Sequence, residues 1–386
     1  MCMTTYTIGE MSKKLGVSIR TLQNWDRNNK LKAQRNPSGR RYYTHEQYLD
    51  TSGKEKYKRS GTDTDAILGK IVLITGGTGS LGQALTSKIC DYAKKVIVFS
   101  RCELKQANMK QKFESKKNIR YLVGDIRDRA RLDMALKGVD ICIHAACMKR
   151  VETCTYNPLE AIKNNVIGSM NVLESCITNN VKKALLVSTD KSCEPATLYG
   201  GTKFVSEQIF INGNNYTNRN CIFTATRYGN VYGSNGSIRH LFAKQVSENN
   251  KIKITHKDMT RFFMSIDEAV SLNLYALNNA IGGEIFIPKL KAATIVSFAE
   301  TFYPNIPVEF IGIRGFEKLH ERLISETEME YIVDCGQYYK IVPPGVSDID
   351  CGWDFNYPEE SKIKAFDYSS NKVEQFTPEE LKCFDK

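Results

Sequence analysis

A doubly wound α/β fold with a parallel sheet, preceded by a small helix-turn-helix domain, is predicted by three features of this 386-residue chain. The first is a run of four apolar residues, Ile71 to Ile74, that enters the turn Thr75-Gly76-Gly77-Thr78-Gly79-Ser80-Leu81-Gly82. Such a run, ended by glycines, reads as a buried parallel strand turning tightly into a helix. The second is the alternation of strand and helix patterns along most of the chain beyond Gly82. The third is uneven charge. The net charge is +11, but residues 1 to 70 hold 14 Lys/Arg against 7 Asp/Glu, while the remainder holds 40 against 36. A small basic module with an anionic partner is therefore expected at the N-terminus.

The length calls for two domains. No apolar run approaches membrane-spanning length, and the opening Met-Cys-Met-Thr-Thr-Tyr lacks a basic-then-apolar signal pattern. The 12 cysteines are scattered, with no C-x-x-C pair and no Cys/His cluster. Together these point away from a membrane span, a metal site or a disulfide framework and toward a soluble cytoplasmic protein with reduced thiols.

In the first module Ile8, Met11 and Leu15 stand at helical spacing, Gly16-Val17 makes a turn, and Ser18 is placed to cap a second helix running to about Asn28. Leu22 and Trp25 face inward from that helix, and Arg20, Gln23, Asn24 and Arg27 face outward, where side chains reach base edges and phosphates. The segment from Lys30 to Tyr43, with Pro37-Ser38-Gly39 in its middle, reads as a hairpin wing. Residues 51–66, rich in Lys, Ser, Gly and Thr, read as a linker. The pattern "YTIGEMSKKLGVSIRTLQNWDRNNKL…GRRYY" resembles the winged helix-turn-helix of the MerR and excisionase group over residues 1–50, which implies DNA as a partner.

The glycine turn predicts a dinucleotide site. Gly76 and Gly79 let the backbone approach a pyrophosphate, Gly82 lets the helix lie on the strand, and the free amides of the first turn hold negative charge. The second strand, Val96 to Phe99, ends in Ser100-Arg101 where an acidic residue would bind the ribose of NAD. Arginine pairs with a 2′-phosphate, so NADP is favoured, with Glu103 leaving NAD open. Strand three, Ile119 to Val123, leads to Asp125, which either accepts from an adenine amine or caps the next helix. Strand four, Ile141 to His144, runs into the small residues Ala145 and Ala146, beside which a nicotinamide fits; His144 reads as a packed structural residue. Strand five, Ala184 to Val187, delivers Ser188-Thr189-Asp190-Lys191 to the ligand-binding edge of the sheet.

Tyr199 and Lys203 lie four apart on a helix, so the ammonium is expected to lower the pKa of the phenol and hold a cofactor ribose. Such a tyrosine takes a proton from a sugar hydroxyl while hydride leaves. Further on, Asn230 on a loop, Arg261 and Arg314 suit a diphosphate, and Glu317 suits a ribose or an arginine. Residues 233–386, including the apolar strand Glu284 to Ile287, read as a smaller substrate part beside a core at about 67–232.

From residue 68 onward the motifs "TGGTGSLG", "HAACMKRVE", "STDKSCEPATLYGGTK", "RYGNVYGSNGS" and "IGIRGFEKLHE" resemble the extended short-chain dehydrogenase/reductase superfamily. Within it they are most similar to the C5-inverting UDP-N-acetylglucosamine 4,6-dehydratases. The resemblance implies a UDP-sugar substrate, an internally recycled NADP and a homo-oligomer. It also adds Thr78, Ser80, Leu81 and Ile126 to the cofactor contacts and Lys149 to the substrate contacts. In the reaction it implies, Tyr199 takes the C4 hydroxyl proton while C4 hydride passes to NADP, Thr189 holds the C4 oxygen, Lys191 takes the C5 proton and Asp190 protonates the departing C6 hydroxyl. Two stretches depart from the family pattern, Cys147 with Arg150-Val151-Glu152, and Gly315-Phe316 before Glu317. Competing readings are a retaining dehydratase or C4-epimerase, and a DNA-binding regulator that senses a nucleotide sugar.

Overall fold

The computed structural model describes residues 5–15, 18–28, 30–35, 39–44, 47, 64–217, 220–342 and 363–385. The expected turns at Gly16-Val17 and Pro37-Ser38 and the linker up to Thr62 lie outside the described residues. The chain divides into two units, Met1–Thr62 and Asp63–Lys386.

The small unit holds helices Ile8–Leu15 and Ile19–Arg27 and the strands β1 (Thr5–Thr7), β2 (Gln34–Arg35) and β3 (Arg41–Thr44). Ser18 caps the second helix, its hydroxyl accepting from the Thr21 N–H at 3.1 Å. β2 and β3 pair antiparallel as the expected hairpin wing, and β1 adds a third strand on the other edge of β3. Met11, Leu22, Leu31 and Tyr43 are buried together, and Trp25 is partly buried against them. Asp26 ties helix to wing: it accepts from Arg41 at 2.6 Å and from the Ala33 N–H at 3.0 Å. The Arg41 bond holds its carboxyl below the usual range.

The large unit is built on a nine-stranded sheet whose strands were mostly legible as apolar runs. They are β4 (Ile71–Thr75), β5 (Lys95–Ser100), β6 (Ile119–Val123), β7 (Ile141–His144), β8 (Lys183–Val187), β9 (Ile222–Thr226), β13 (Ile285–Pro288), β16 (Ile332–Asp334) and β17 (Tyr338–Ile341). Their order is β16-β17-β13-β9-β8-β7-β4-β5-β6. From β6 to β13 neighbours run parallel, and β17 and β16 close the far edge antiparallel. Chain order reverses between β4 and β7, which opens a crevice above the carboxyl ends of those strands. Val72, Leu73 and Ile74 have no exposed surface, as a strand covered on both faces requires.

β13 corrects the sequence reading. The stretch expected in the substrate part belongs to the main sheet, with Ile285 opposite Ala225 of β9, and all four of its residues are buried. A short apolar strand carries no mark of which sheet it joins. The end of the expected linker also differs: Thr64 is buried, and the Ala66 N–H donates to Asn278 at 2.7 Å, so both belong to the large unit.

A second core covers the crevice, formed by Phe242, Ile252, Phe263 and Phe298 with their neighbours. It carries β10 (Asn230–Val231), β12 (Thr260–Met264) and β14 (Ala292–Thr294) as one sheet. β11 (Ile252–Ile254) and β15 (Val308–Phe310) form another. Among the described residues no helix is long and apolar enough to cross a membrane, and no group of three His, Cys, Asp or Glu side chains could hold a metal.

Candidate active site

One cleft of about 1130 Å³ runs from the glycine turn after β4 to the segment Arg314–Glu321. Gly76 has a φ of +65°. A Cβ there would sit 2.8 Å from the Ala146 backbone, and one at Gly82 would sit 2.5 Å from Gly77 Cα. Both positions need glycine to keep the strand, the turn and helix Ser80–Ile89 in contact. That helix begins at Gly79, with no side chain capping its first amides. Bare amides over a turn that no side chain fills fit the pyrophosphate of a dinucleotide. Thr78, Ser80, Leu81, Ser100, Arg101, Ile126, Ala145 and Ala146 line the same half.

Two side chains behave differently from expectation at the ribose and adenine end. Asp125 does not line the cleft: Arg127 takes its carboxylate through Nη2 at 2.8 Å and Nε at 3.0 Å, and Arg101 stands 3.7 Å away. Burial pushes its pKa up, but the hydrogen bonds from Arg127 hold it below the ordinary value. Nor does Asp125 cap the next helix, whose N-cap is Asp128, accepting from the Arg131 N–H at 2.9 Å. Ser100 is engaged by Gln106, which donates to its hydroxyl at 3.0 Å. Arg101 itself stays more than half exposed at the rim, and the neighbouring Glu103 opens helix Glu103–Lys112.

At the middle of the cleft lie Thr189, Lys191, Tyr199 and Lys203. β8 delivers the first two through a short turn, Asp190–Ser192, which Thr189 caps. A buried ion pair network fixes that turn from behind. Ser192 donates to Glu207 at 2.6 Å, and Glu207 pairs with the fully buried Arg227 at 2.7 Å, which also reaches Glu328 at 2.8 Å. His144 is the packed residue expected: it contacts Thr75 at 2.7 Å and Ser169 at 3.1 Å, and burial pulls its pKa down to about 3. Asn165 was not foreseen. It lies in a π-helical turn, Ile162–Ile167, accepts from the Met148 N–H at 2.8 Å, and donates to Thr202 at 3.0 Å. It thereby holds the Ala145–Lys149 segment against the Tyr199 helix. No periodicity in the sequence marks it, since a π turn breaks the 3.6 spacing.

The expected depression of the Tyr199 pKa is not found. Burial pushes the phenol well up, the Thr189 hydroxyl alone among the leading neighbours lowers it, and Lys203 donates to the Val187 carbonyl at 2.8 Å instead. Asp190 also departs from expectation. It has no exposed surface and does not line the cleft; its Oδ1 accepts from Thr189 at 2.9 Å and Lys191 at 3.0 Å, while Oδ2 is buried without a partner.

At the far end Lys149, Asn230, Arg261, Arg314 and Glu317 all line the cleft. Asn230 sits in the short strand β10, not on a loop. Arg261 is buried and anchored by three backbone carbonyls, those of Thr260 at 2.7 Å, Lys318 at 2.9 Å and Leu319 at 3.1 Å. Glu317 stands 3.6 Å from it, and Arg314 bonds Glu152 at 3.2 Å. Glu321, to which sequence reasoning assigned no role, is buried here beside Lys191, Arg261 and Lys318.

A crevice at the carboxyl edge of a parallel sheet, with a glycine turn at one end and a helical tyrosine and lysine within it, is that of the Rossmann-like short-chain dehydrogenase/reductase fold. The description "polysaccharide biosynthesis protein" matches residues 72–343, and the chain belongs to that family. Residues 7–43 match the MerR family regulatory proteins. A UDP-N-acetylglucosamine 4,6-dehydratase (inverting) of Campylobacter jejuni is 42% identical, over 81% of this chain and 95% of that protein. A UDP-glucose 4-epimerase of Rickettsia bellii is 38% identical, over 81% and 94%. The solved structure of Pen from Bacillus thuringiensis superposes with a TM-score of 0.74 at 34% identity, covering 82% of this chain and 96% of that one.

Proposed function

We propose that the chain is an NADP-dependent 4,6-dehydratase of UDP-N-acetylglucosamine that inverts C5, serving surface glycan or deoxysugar synthesis in the cytoplasm. The observation that carries this reading is the joint presence of Thr189, Lys191 and Tyr199 in one cleft between the glycine turn and Arg261. A nicotinamide dinucleotide in the glycine half supplies the place for hydride taken from C4 and its source for C6. Tyr199, as its phenolate, takes the C4 hydroxyl proton and gives it up again before the next turnover; burial, which disfavours the phenolate, works against that first step. Thr189 steadies the C4 oxygen, and Lys203, seated on the Val187 carbonyl, faces the ribose. Lys191 removes the C5 proton, which a ketone at C4 acidifies, and once hydride has reached C6 a proton returns to C5 from the opposite face. Asp190 has no access of its own to the cleft, so any proton for the departing C6 hydroxyl passes through Thr189 or Lys191, the groups it touches. Arg261, Arg314, Lys149 and Asn230 meet the diphosphate, and Glu317 orients Arg261.

The named Rickettsia relative keeps a C4-epimerase in view. Both reactions start by oxidising C4, but an epimerase needs no base for C5, and Lys191 in the cleft favours the dehydratase. For the small unit, the MerR match and the exposed Arg20, Asn24 and Arg27 support contact with DNA phosphates.

Mass spectrometry after incubation with UDP-N-acetylglucosamine and no reductant tests the main reading. The expected product has lost one water. An unchanged mass with altered C4 configuration would make the protein an epimerase, and product formed only with stoichiometric NADPH would rule out internal hydride return.

A further inference from the structure

We propose that Glu321 is a positioning residue of this site: its carboxylate holds the Lys191 ammonium toward the cleft and ties it to the anchored Arg261. The proposal rests on the dehydratase reading for its catalytic consequence, but its geometry stands alone. Glu321 is 3% exposed and lines the cleft. Its Oε1 stands 3.5 Å from Lys191 Nζ and 3.9 Å from Arg261 Nε, and its Oε2 stands 3.8 Å from Lys318 Nζ. The backbone on which it sits is clamped on both sides. The Glu321 N–H donates to Ser370 Oγ at 3.0 Å, and the Ser370 N–H donates to the Glu321 carbonyl at 2.8 Å. A backbone so fixed does not travel with the Asp190–Ser192 turn, so Glu321 gives Lys191 a second, separately anchored point of attachment.

Asp190 alone does not suffice for this task. It is the residue preceding Lys191 in the same short turn, so the pair moves as a unit. Glu321 reaches the ammonium from a segment 130 positions later in the chain. The groups facing Lys191 are Asp190, Glu321 and Arg261; burial and Arg261 favour its neutral form, while the two carboxylates outweigh them and raise its proton affinity. A general base must be neutral to act, so turnover should rise with pH as Lys191 loses its proton. Removing the negative charge of Glu321 should move that rise to lower pH. Oε2 makes no hydrogen bond in the buried cluster, so a Gln NH2 there would replace no hydrogen bond, only the ion pair with Lys318.

The test compares the full-length protein with Glu321→Gln and Glu321→Asp, using two readouts. One is the pH midpoint of Lys191 acetylation by acetic anhydride, followed by peptide mass spectrometry. The other is the acidic limb of kcat with UDP-N-acetylglucosamine. In Glu321→Gln both should move down by about one pH unit, the low end of what one nearby opposite charge supplies. KM should change less than about threefold, because three backbone carbonyls hold Arg261 without Glu321. Glu321→Asp keeps the charge at a shorter reach; its midpoint should stay near that of the unmodified protein while kcat falls. Circular dichroism reports the folded fraction, and should the Gln variant fail to fold, the Asp variant decides by its kcat. A midpoint unmoved in folded Glu321→Gln, or a kcat unmoved in Glu321→Asp, overturns the proposal. A shifted acetylation midpoint in a protein that makes no product would instead leave Glu321 in place and count against the dehydratase reading.

Discussion

The two halves of the cleft are made of different materials. The dinucleotide half is backbone: glycines whose missing Cβ atoms let chain approach chain, small alanines, and the bare amides of a helix start. The half proposed to take the sugar is charge. Lys191, Arg261, Glu317, Lys318 and Glu321 gather there from segments far apart in sequence, with Asp190 buried behind them. The backbone half should tolerate loss of a side chain at its rim, because its contacts come from the main chain. In the charged half each group is held by another, so one truncation leaves a partner buried and unmatched.

That contrast can be tested first where the effect should be largest. Lys191→Met removes the proposed base while leaving the glycine turn untouched. Turnover should fall roughly a hundredfold or more, as for loss of a general base, while NADP binding measured by calorimetry stays within about twofold. In deuterated water the unmodified enzyme should place deuterium at C5 with inverted configuration. Retained configuration would assign the chain to the retaining class, and unchanged turnover in Lys191→Met would remove Lys191 from the reaction.

A smaller effect is expected at the rim of the backbone half. Arg101 is more than half exposed, and its nearest carboxylate is 3.7 Å away, so it is free to turn toward a 2′-phosphate. Arg101→Asp should reverse the preference from NADP to NAD by about tenfold, since one charge-assisted contact is worth about 1.5 kcal/mol or more. Catalysis with saturating NAD should survive. Equal affinity of the unmodified protein for both nucleotides would make Arg101 an ordinary rim residue.

The same division governs how much of the molecule could be read from its sequence. The glycine turn, β4 to β8 and the Tyr199 helix were legible because each is a local pattern: an apolar run, a glycine spacing, an i,i+4 pair. His144 as a packed residue followed from its place at the end of a buried strand. Asp125 misled because two aspartates precede the same helix, and only the observed start at Arg129 gives the cap to Asp128. Tyr199 misled for a different reason. An i,i+4 lysine can lower a phenol's pKa, but the depth of burial and the Val187 carbonyl that draws Lys203 away are tertiary facts. β13 and Glu321 share that cause. Which sheet a short strand joins, and which buried charges meet, depends on segments far apart in the chain.

The smallest effect concerns strain at the outer wall of the charged half. Phe316 adopts a φ of +63°, in the left-handed region that a bulky side chain rarely occupies, and it is 80% exposed at the rim of the cleft. A non-glycine residue held there costs of order 1–3 kcal/mol, and so exposed a ring recovers little of that by packing. Glycine would relieve the strain but would lose about 0.5–1 kcal/mol to the greater freedom of the unfolded chain. Phe316→Gly should therefore stabilise the large unit by about 1 kcal/mol, visible as a rise of about 2 °C in its melting temperature. The corresponding change at Gly76 has the opposite sign, since a side chain there meets backbone at 2.8 Å and cannot be accommodated by rotation. A Phe316→Gly variant that melts at or below the unmodified protein would mean that the ring is held by contacts worth more than its strain, and the charged half would then owe its outer wall to packing as well as to charge.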